Sequence, residues 1–197
     1  MVGLHLYRTL IPTPLGDMLA LASDEGLCAL EFTTVQRPNR GQERLSRLTT
    51  RLDRWFPPHD IVDRETPAIA RARAWLTAYF DGTSADRGDL PLDMRGAPFE
   101  RRVWLALQTI PPGQTTSYGA IAHVLGSAGA SRAVGAANGA NPVAIIVPCH
   151  RVIGSTGSLT GYGGGLDRKT WLIDHERRWR TEPQPSLFLT CRDFSSS

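Results

Sequence analysis

The sequence predicts a mixed α/β (α+β) fold in two units: a small N-terminal α/β domain with antiparallel strands over residues 1–90, and a mainly helical C-terminal domain over residues 91–176, with a disordered tail at 177–197. Three observations predict it. Short apolar runs broken by Pro- and Gly-bearing turns crowd the first 32 residues, as in strands joined by tight turns. Beyond residue 97 apolar residues recur at helical spacing. Between the two lies Thr83 to Gly96, rich in Gly, Asp and Pro, which reads as a linker.

Leu4 to Leu10, Met18 to Ser23 and Leu27 to Phe32 are the strands, separated by Pro12-Thr13-Pro14-Leu15-Gly16 and Asp24-Glu25-Gly26, and they form an antiparallel meander. Gln42 to Trp55 has a moderately helical pattern. Pro67 to Phe80 is more strongly helical, with Ile69, Arg73, Leu76 and Phe80 near one face and Asp81-Gly82 as the stop. Pro98 stands at a first helical position, and Phe99, Val103, Trp104, Leu107 and Ile110 follow until Pro111-Pro112-Gly113 ends the run. Ser117 can cap a helix through Leu125, stopped by Gly126, and a third helix follows at about Ser131 to Gly139. Two short helices joined by a tight turn make a helix-turn-helix candidate, a weak signal alone because most such pairs bind nothing. Ala133, Gly135, Ala136, Ala137, Gly139 and Ala140 leave the last helix almost without bulk. Its propensity is poor, but it can approach another surface closely, whether a packed helix or an outside partner.

Composition excludes more than it selects. With 197 residues and 41% hydrophobic side chains, the chain can bury a core in one large domain or two small ones. No apolar run approaches the roughly 18 residues a bilayer span needs, and the Met1 end lacks a signal-peptide pattern. Cys28, Cys149 and Cys191 are odd in number and far apart, which fits free thiols in a reducing interior. His5, Cys28 and His59 lack metal-ligand spacing, so no metal is expected. Charge divides unevenly: net −1 over residues 1–95 and +4 over 96–197. No carboxylate falls between Arg101 and Leu166, a span holding Arg101, Arg102, Arg132 and Arg151. A polyanion could approach such a surface without repulsion.

In Ile145-Ile146-Val147-Pro148-Cys149-His150-Arg151-Val152 a hydrophobic run ends in a proline and sets a cysteine against two groups able to carry positive charge. Only the thiolate is a good nucleophile, and neighbouring positive charge favours it. Adjacent side chains need not meet, however, so the pair alone also fits a buried, inert cysteine at a strand end.

Pro148 to Gly154, then Leu159-Thr160-Gly161-Tyr162-Gly163-Gly164-Gly165, Lys169, Trp171-Leu172 and His175-Glu176, resemble the O6-alkylguanine-DNA alkyltransferase family. Upstream, Val103-Trp104, Ile110 to Gly113, Thr116 to Gly119, Ser131 to Gly135 and Asn138 to Pro142 stand in that family's order. The likeness covers roughly residues 98 to 176. It implies a winged-helix-like helix-turn-helix domain carrying an active-site cysteine, and direct-reversal DNA repair: O6-alkylguanine, with O4-alkylthymine as a second candidate, is flipped from the duplex and its alkyl group moves irreversibly to Cys149 in a single-turnover reaction.

The resemblance also assigns roles. Glu176 orients His150, which acts on the Cys149 thiol through water. Tyr118 hydrogen-bonds the guanine ring and supplies a proton. The backbone at Cys149 and Val152 reads the exocyclic amine, Gly163 lends an amide, Tyr162 walls the alkyl group, and Asn141 is the hinge between recognition helix and cysteine strand. Ser131, Arg132, Ala133, Gly135, Ala136, Asn138 and Arg151 meet DNA in the minor groove, with Arg132 as the finger filling the emptied stack. No cofactor is implied. The partner is double-stranded DNA bound by a monomer, cooperativity left open, with no membrane; the expected location is the cytoplasm, on the nucleoid in a prokaryote, or the nucleus in a eukaryote. A non-catalytic relative would lack Cys149. A cysteine hydrolase would need adjacent residues to face each other and an oxyanion loop that the Gly-poor approach to Cys149 does not supply. Asn138, where some relatives carry a bulkier apolar residue, leaves the preferred alkyl size open.

Overall fold

The computed structural model describes residues 4–34 and 40–181. Three strands, β1 (Leu4–Ile11), β2 (Met18–Ala22) and β3 (Leu27–Phe32), form the expected antiparallel meander. After α1 (Arg40–Trp55), a fourth strand that the sequence pattern does not announce, β4 (His59–Asp63), pairs parallel with β1, giving the order β3-β2-β1-β4. Its polar, exposed residues conceal it because they face solvent on a sheet edge.

β3 ends the sheet on the other side, yet all six of its residues are buried. Two segments bridge to its open edge. The Leu27 amide donates to Pro91 O (2.9 Å) and Asp93 N to Leu27 O (3.0 Å); Leu30 N donates to Pro142 O and Ala144 N to Leu30 O, both 2.8 Å. The expected linker is therefore packed chain: Leu90 is buried and Asp93 accepts from Ser23 Oγ at 2.7 Å. The second bridge fixes the segment that leads to Cys149 directly on the N-terminal sheet.

Helix α2 (Pro67–Phe80) is capped by Thr66, whose side chain accepts from Ile69 N. α3 (Pro98–Gln108) buries Val103, Trp104 and Leu107; Trp104 Nε1 donates to Ala137 O at 2.9 Å. β5 (Thr116–Ser117) leads into α4 (Tyr118–Val124), with Ser117 as the expected cap, and then α5 (Ser131–Gly139) follows. A 3-10 turn at Cys149–Arg151 runs into β6 (Val152–Ile153), which pairs parallel with β5. In that parallel register Tyr118, just after β5, lies at the Ile153 end of β6, and the cysteine turn leads into the other end. α6 spans Leu166–Thr181, so residues 177–181, assigned to the tail, are helical. Trp179, in this last part of the helix, packs edge-on against Tyr79 at 5.1 Å between centroids. The remainder of the tail, with Cys191, lies outside the described residues. One apolar core, from Tyr7 through Trp104 to Leu172, joins both halves of the chain. Among the described residues no helix is long and apolar enough to cross a membrane.

Candidate active site

The approach to Cys149 is not a strand, although Ile145-Ile146-Val147 has strand composition. It is a chain of tight turns: Ile146 N donates to Ala144 O, Val147 N to Val143 O and Cys149 N to Val147 O. Ile145 takes φ 70°, in the left-handed region a β-branched residue rarely adopts. Asn141 holds this path. Its Oδ1 accepts from Val143 N (3.0 Å) and its Nδ2 donates to Val147 O (2.8 Å). Asn141 is buried with both ends of its amide engaged, so it braces the cysteine loop and presents nothing to a substrate.

Cys149 is 5% exposed, and Cys28, deep in the sheet, is fully buried. Burial pushes the Cys28 thiol up to about 12, which removes it as a nucleophile near neutral pH. Next to Cys149, His150 is wholly buried and its Nε2 lies 2.9 Å from Glu176 Oε1. Facing a carboxylate, Nε2 carries the proton, which leaves Nδ1 as the base; Nδ1 is buried without a protein hydrogen-bond partner. Burial lowers the His150 basicity and outweighs the opposing pull of Glu176, so the imidazole is neutral.

Glu176 is the centre of the network. Oε1 accepts from Tyr79 OH (2.8 Å), His150 and Arg151 Nη2 (2.8 Å), and Oε2 accepts from Gly113 N (2.9 Å) and Arg151 Nε (2.9 Å). Burial alone would raise its carboxyl, but the hydrogen bonds and charges of His150 and Arg151 prevail and hold it well below the usual carboxylate range. Arg151 also donates to Ile110 O. It is 6% exposed, which corrects its assignment to a DNA surface: the buried carboxylate requires a cation, and Arg151 is that cation. The sequence does not single out Tyr79, and it offers Gly113 only as a helix stop within the Ile110 to Gly113 motif. Tyr79 lies 97 residues from Glu176 along the chain.

Burial at His150, and the hydrogen bonds and charges of His150 and Arg151 at Glu176, set a pH response. Both native groups, His150 and Glu176, take up protons at lower pH than their unfolded counterparts, with ordinary values of 6.5 and 4.5. Their stabilisation is complete above those values and is lost as pH falls, first below about 6.5 and then below 4.5. Unfolding free energies from denaturant titrations at pH 8 to 4 should fall accordingly, by up to about 1.4 kcal/mol per pH unit for each proton. His150→Asn should flatten the upper part; an unaltered profile in that variant would refute the assignment.

Lys169 is fully buried, its Nζ donating to the carbonyls of Val152 (2.6 Å), Thr160 (2.6 Å) and Gly161 (3.4 Å). Burial pushes its ammonium down to about 8 against the pull of Cys149. It ties α6 to the glycine-rich loop 154–165, where Tyr162 lies edge-on to His150 (centroids 6.3 Å) and Gly163 is half-buried. Gly164 must lack a side chain, since a Cβ there would meet Tyr162 Cε1 at 2.7 Å and Phe32 Cδ2 at 2.9 Å. Tyr118 donates to Thr160 O at 3.4 Å, and its ring lies beside Gly135. Val152 O already accepts from Lys169, and Cys149 O accepts both from Asn138 Nδ2 (3.3 Å) and from Val152 N.

On α5, Arg132, Ala133 and Ala136 are exposed, while Ser131 and Gly135 are half-buried. Asn138 is 4% exposed and turned inward to Cys149. That corrects its placement on the DNA face: at helical spacing it falls with Val134 and Ala137 on the core side. Among the described residues no cluster of three or more His, Cys, Asp or Glu could hold a metal ion.

Residues 98–178 match the family described as 6-O-methylguanine DNA methyltransferase, DNA binding domain, and residues 6–94 its ribonuclease-like domain. A methylated-DNA--protein-cysteine methyltransferase of Salmonella typhimurium is 57% identical over 184 residues, covering 88% of this chain and 96% of the relative. Its counterpart from Mycolicibacterium paratuberculosis is 50% identical over 155 residues, covering 76% and 93%. The solved structure of Mycobacterium tuberculosis OGT in complex with DNA aligns with TM-score 0.70 and 39% identity over 89% of this chain and 94% of that one.

Proposed function

The chain belongs to the 6-O-methylguanine DNA methyltransferase family, and on that footing we propose that it moves the alkyl group of O6-alkylguanine in duplex DNA onto its own Cys149. The observation that carries this reading is the buried line Cys149, His150, Glu176, in which an ionised carboxylate fixes the imidazole tautomer and leaves Nδ1 as a base beside the thiol's own residue. The thiol proton passes to His150 Nδ1 through water. Sγ forms a bond to the alkyl carbon as the carbon–O6 bond breaks, and the electrons relax into the guanine, which takes a proton from the Tyr118 hydroxyl. The thioether that results is inert to water, so each molecule acts once. A lesion inside the base stack requires the nucleotide to be extruded, and the loop carrying Tyr162 and Gly163 walls the receiving pocket. α5 enters the minor groove with its small, exposed face, and Arg132 fills the gap in the stack.

With O6-methylguanine duplex in excess, transferred label should plateau at about one alkyl group per protein molecule, since the reaction consumes its own nucleophile. Continued turnover would point instead to a hydrolase.

Arg132→Ala should slow repair of duplex DNA much more than repair of the free alkylated base. Holding the flipped state open costs a few kcal/mol that a free base never incurs. Single-turnover rates on both substrates decide the matter: equal losses would reduce Arg132 to a general phosphate contact.

A further inference from the structure

A basic groove lies where the two halves of the chain meet beside α5. It has a volume of about 550 Å³ and is walled on one side by α1 and on the other by the small residues of α5, including Ala136 and Gly139. Arg47, Arg51 and Arg54, spaced i, i+4 and i+7, come from one face of α1. Arg51 is half-buried and donates to Ala140 O at the C-terminal end of α5, so it fixes the wall in place. Arg47 and Arg54 are exposed. Glu100 is the one carboxylate among the lining residues, and its Oε2 is engaged by Ala97 N at 2.8 Å at the start of α3. The groove thus has a cationic wall, a floor without bulk on the α5 side, and three arginines to one carboxylate.

We infer that this groove takes one phosphate chain of the duplex, making α1 of the N-terminal half part of the DNA interface. The inference rests on the minor-groove reading of α5. A minor groove is only about 6 Å wide, so a helix lying in it is flanked by phosphates. A row of arginines running alongside that helix meets one of those chains, where guanidinium groups displace condensed counterions.

The test is the salt dependence of binding to a short undamaged duplex that seats one molecule, for the full chain and for the Arg47→Gln/Arg54→Gln and Arg47→Lys/Arg54→Lys double variants. Thermal unfolding checks that each variant is folded. The slope of log affinity against log salt should become shallower by about 0.9 for each phosphate that the Gln variant no longer neutralises, which is roughly tenfold in affinity per phosphate near 0.1 M salt, and the Lys variant should recover most of it. A steep slope in the parent chain left unchanged by the Gln substitutions would overturn the groove assignment alone. Weak, salt-independent binding by the parent chain would overturn the minor-groove reading and the groove with it. An effect confined to long duplexes that seat several molecules would assign the arginines to a neighbouring copy of the protein and overturn the phosphate contact.

Discussion

Replacing Cys149 with serine is expected to lower alkyl transfer by several orders of magnitude while duplex binding persists. A serine hydroxyl ionises too weakly for the neutral His150 to convert it into a useful nucleophile, whereas a thiol is within its reach. Cys149 contributes little to the exposed face of α5, so the DNA contacts should survive its loss. Cys28 should not substitute for it, because burial holds its thiol at about 12. Gel-shift titration measures the binding, and peptide mass mapping after reaction with labelled duplex locates the alkyl group. Label on the serine variant, or on another cysteine of the parent chain, would end the assignment of the nucleophile.

Glu176→Gln should be the most damaging change among the buried polar positions. The substitution leaves Arg151 inside the protein without its counter-charge, and at least two of the donors on the original carboxylate must then face an amide NH2. Removing one partner of a buried pair costs about 3–5 kcal/mol, a large share of a typical domain's stability. Transfer to duplex and to free base should slow alike, since His150 loses the group that fixes its tautomer. A second substitution separates the two roles. Adding Arg151→Met removes the stranded charge and should restore much of the stability, seen as a higher urea midpoint, without restoring the rate. If the double variant recovered both, Glu176 would serve the fold alone.

Much of the site was legible because its chemistry is local in sequence. Pro148-Cys149-His150, the cap at Ser117 and the bare helix at Ser131–Gly139 each show themselves within a few residues. What was not legible depends on where a side chain points and what it meets far along the chain. Arg151 looks like a surface cation by type, and only the buried Glu176 explains why it turns inward. Asn138 sits in a helix of small residues, and its phase on that helix, not its polarity, sends it to Cys149. Tyr79 lies in an ordinary amphipathic stretch and gives no sign of the carboxylate it will meet. Ile145-Ile146-Val147 has strand composition, yet the hydrogen bonds of Asn141 and the edge of β3 impose turns on it. β4 stays hidden because a solvent-facing edge strand lacks the apolar alternation by which strands are found.

The Glu176 network also has an order in time. Each of its donors, Tyr79, Gly113, His150 and Arg151, precedes Glu176 in the chain, and the carboxylate sits late in α6. A ribosome adds roughly 5–20 residues per second, and the N-terminal part of a chain folds first. Cys149 is therefore synthesised more than twenty residues before Glu176. A nascent chain that ends before Glu176 holds Cys149 and His150 without the carboxylate that engages the imidazole. Ribosome-bound chains halted before and after Glu176 has emerged from the exit tunnel would differ in their capacity to take up an alkyl group.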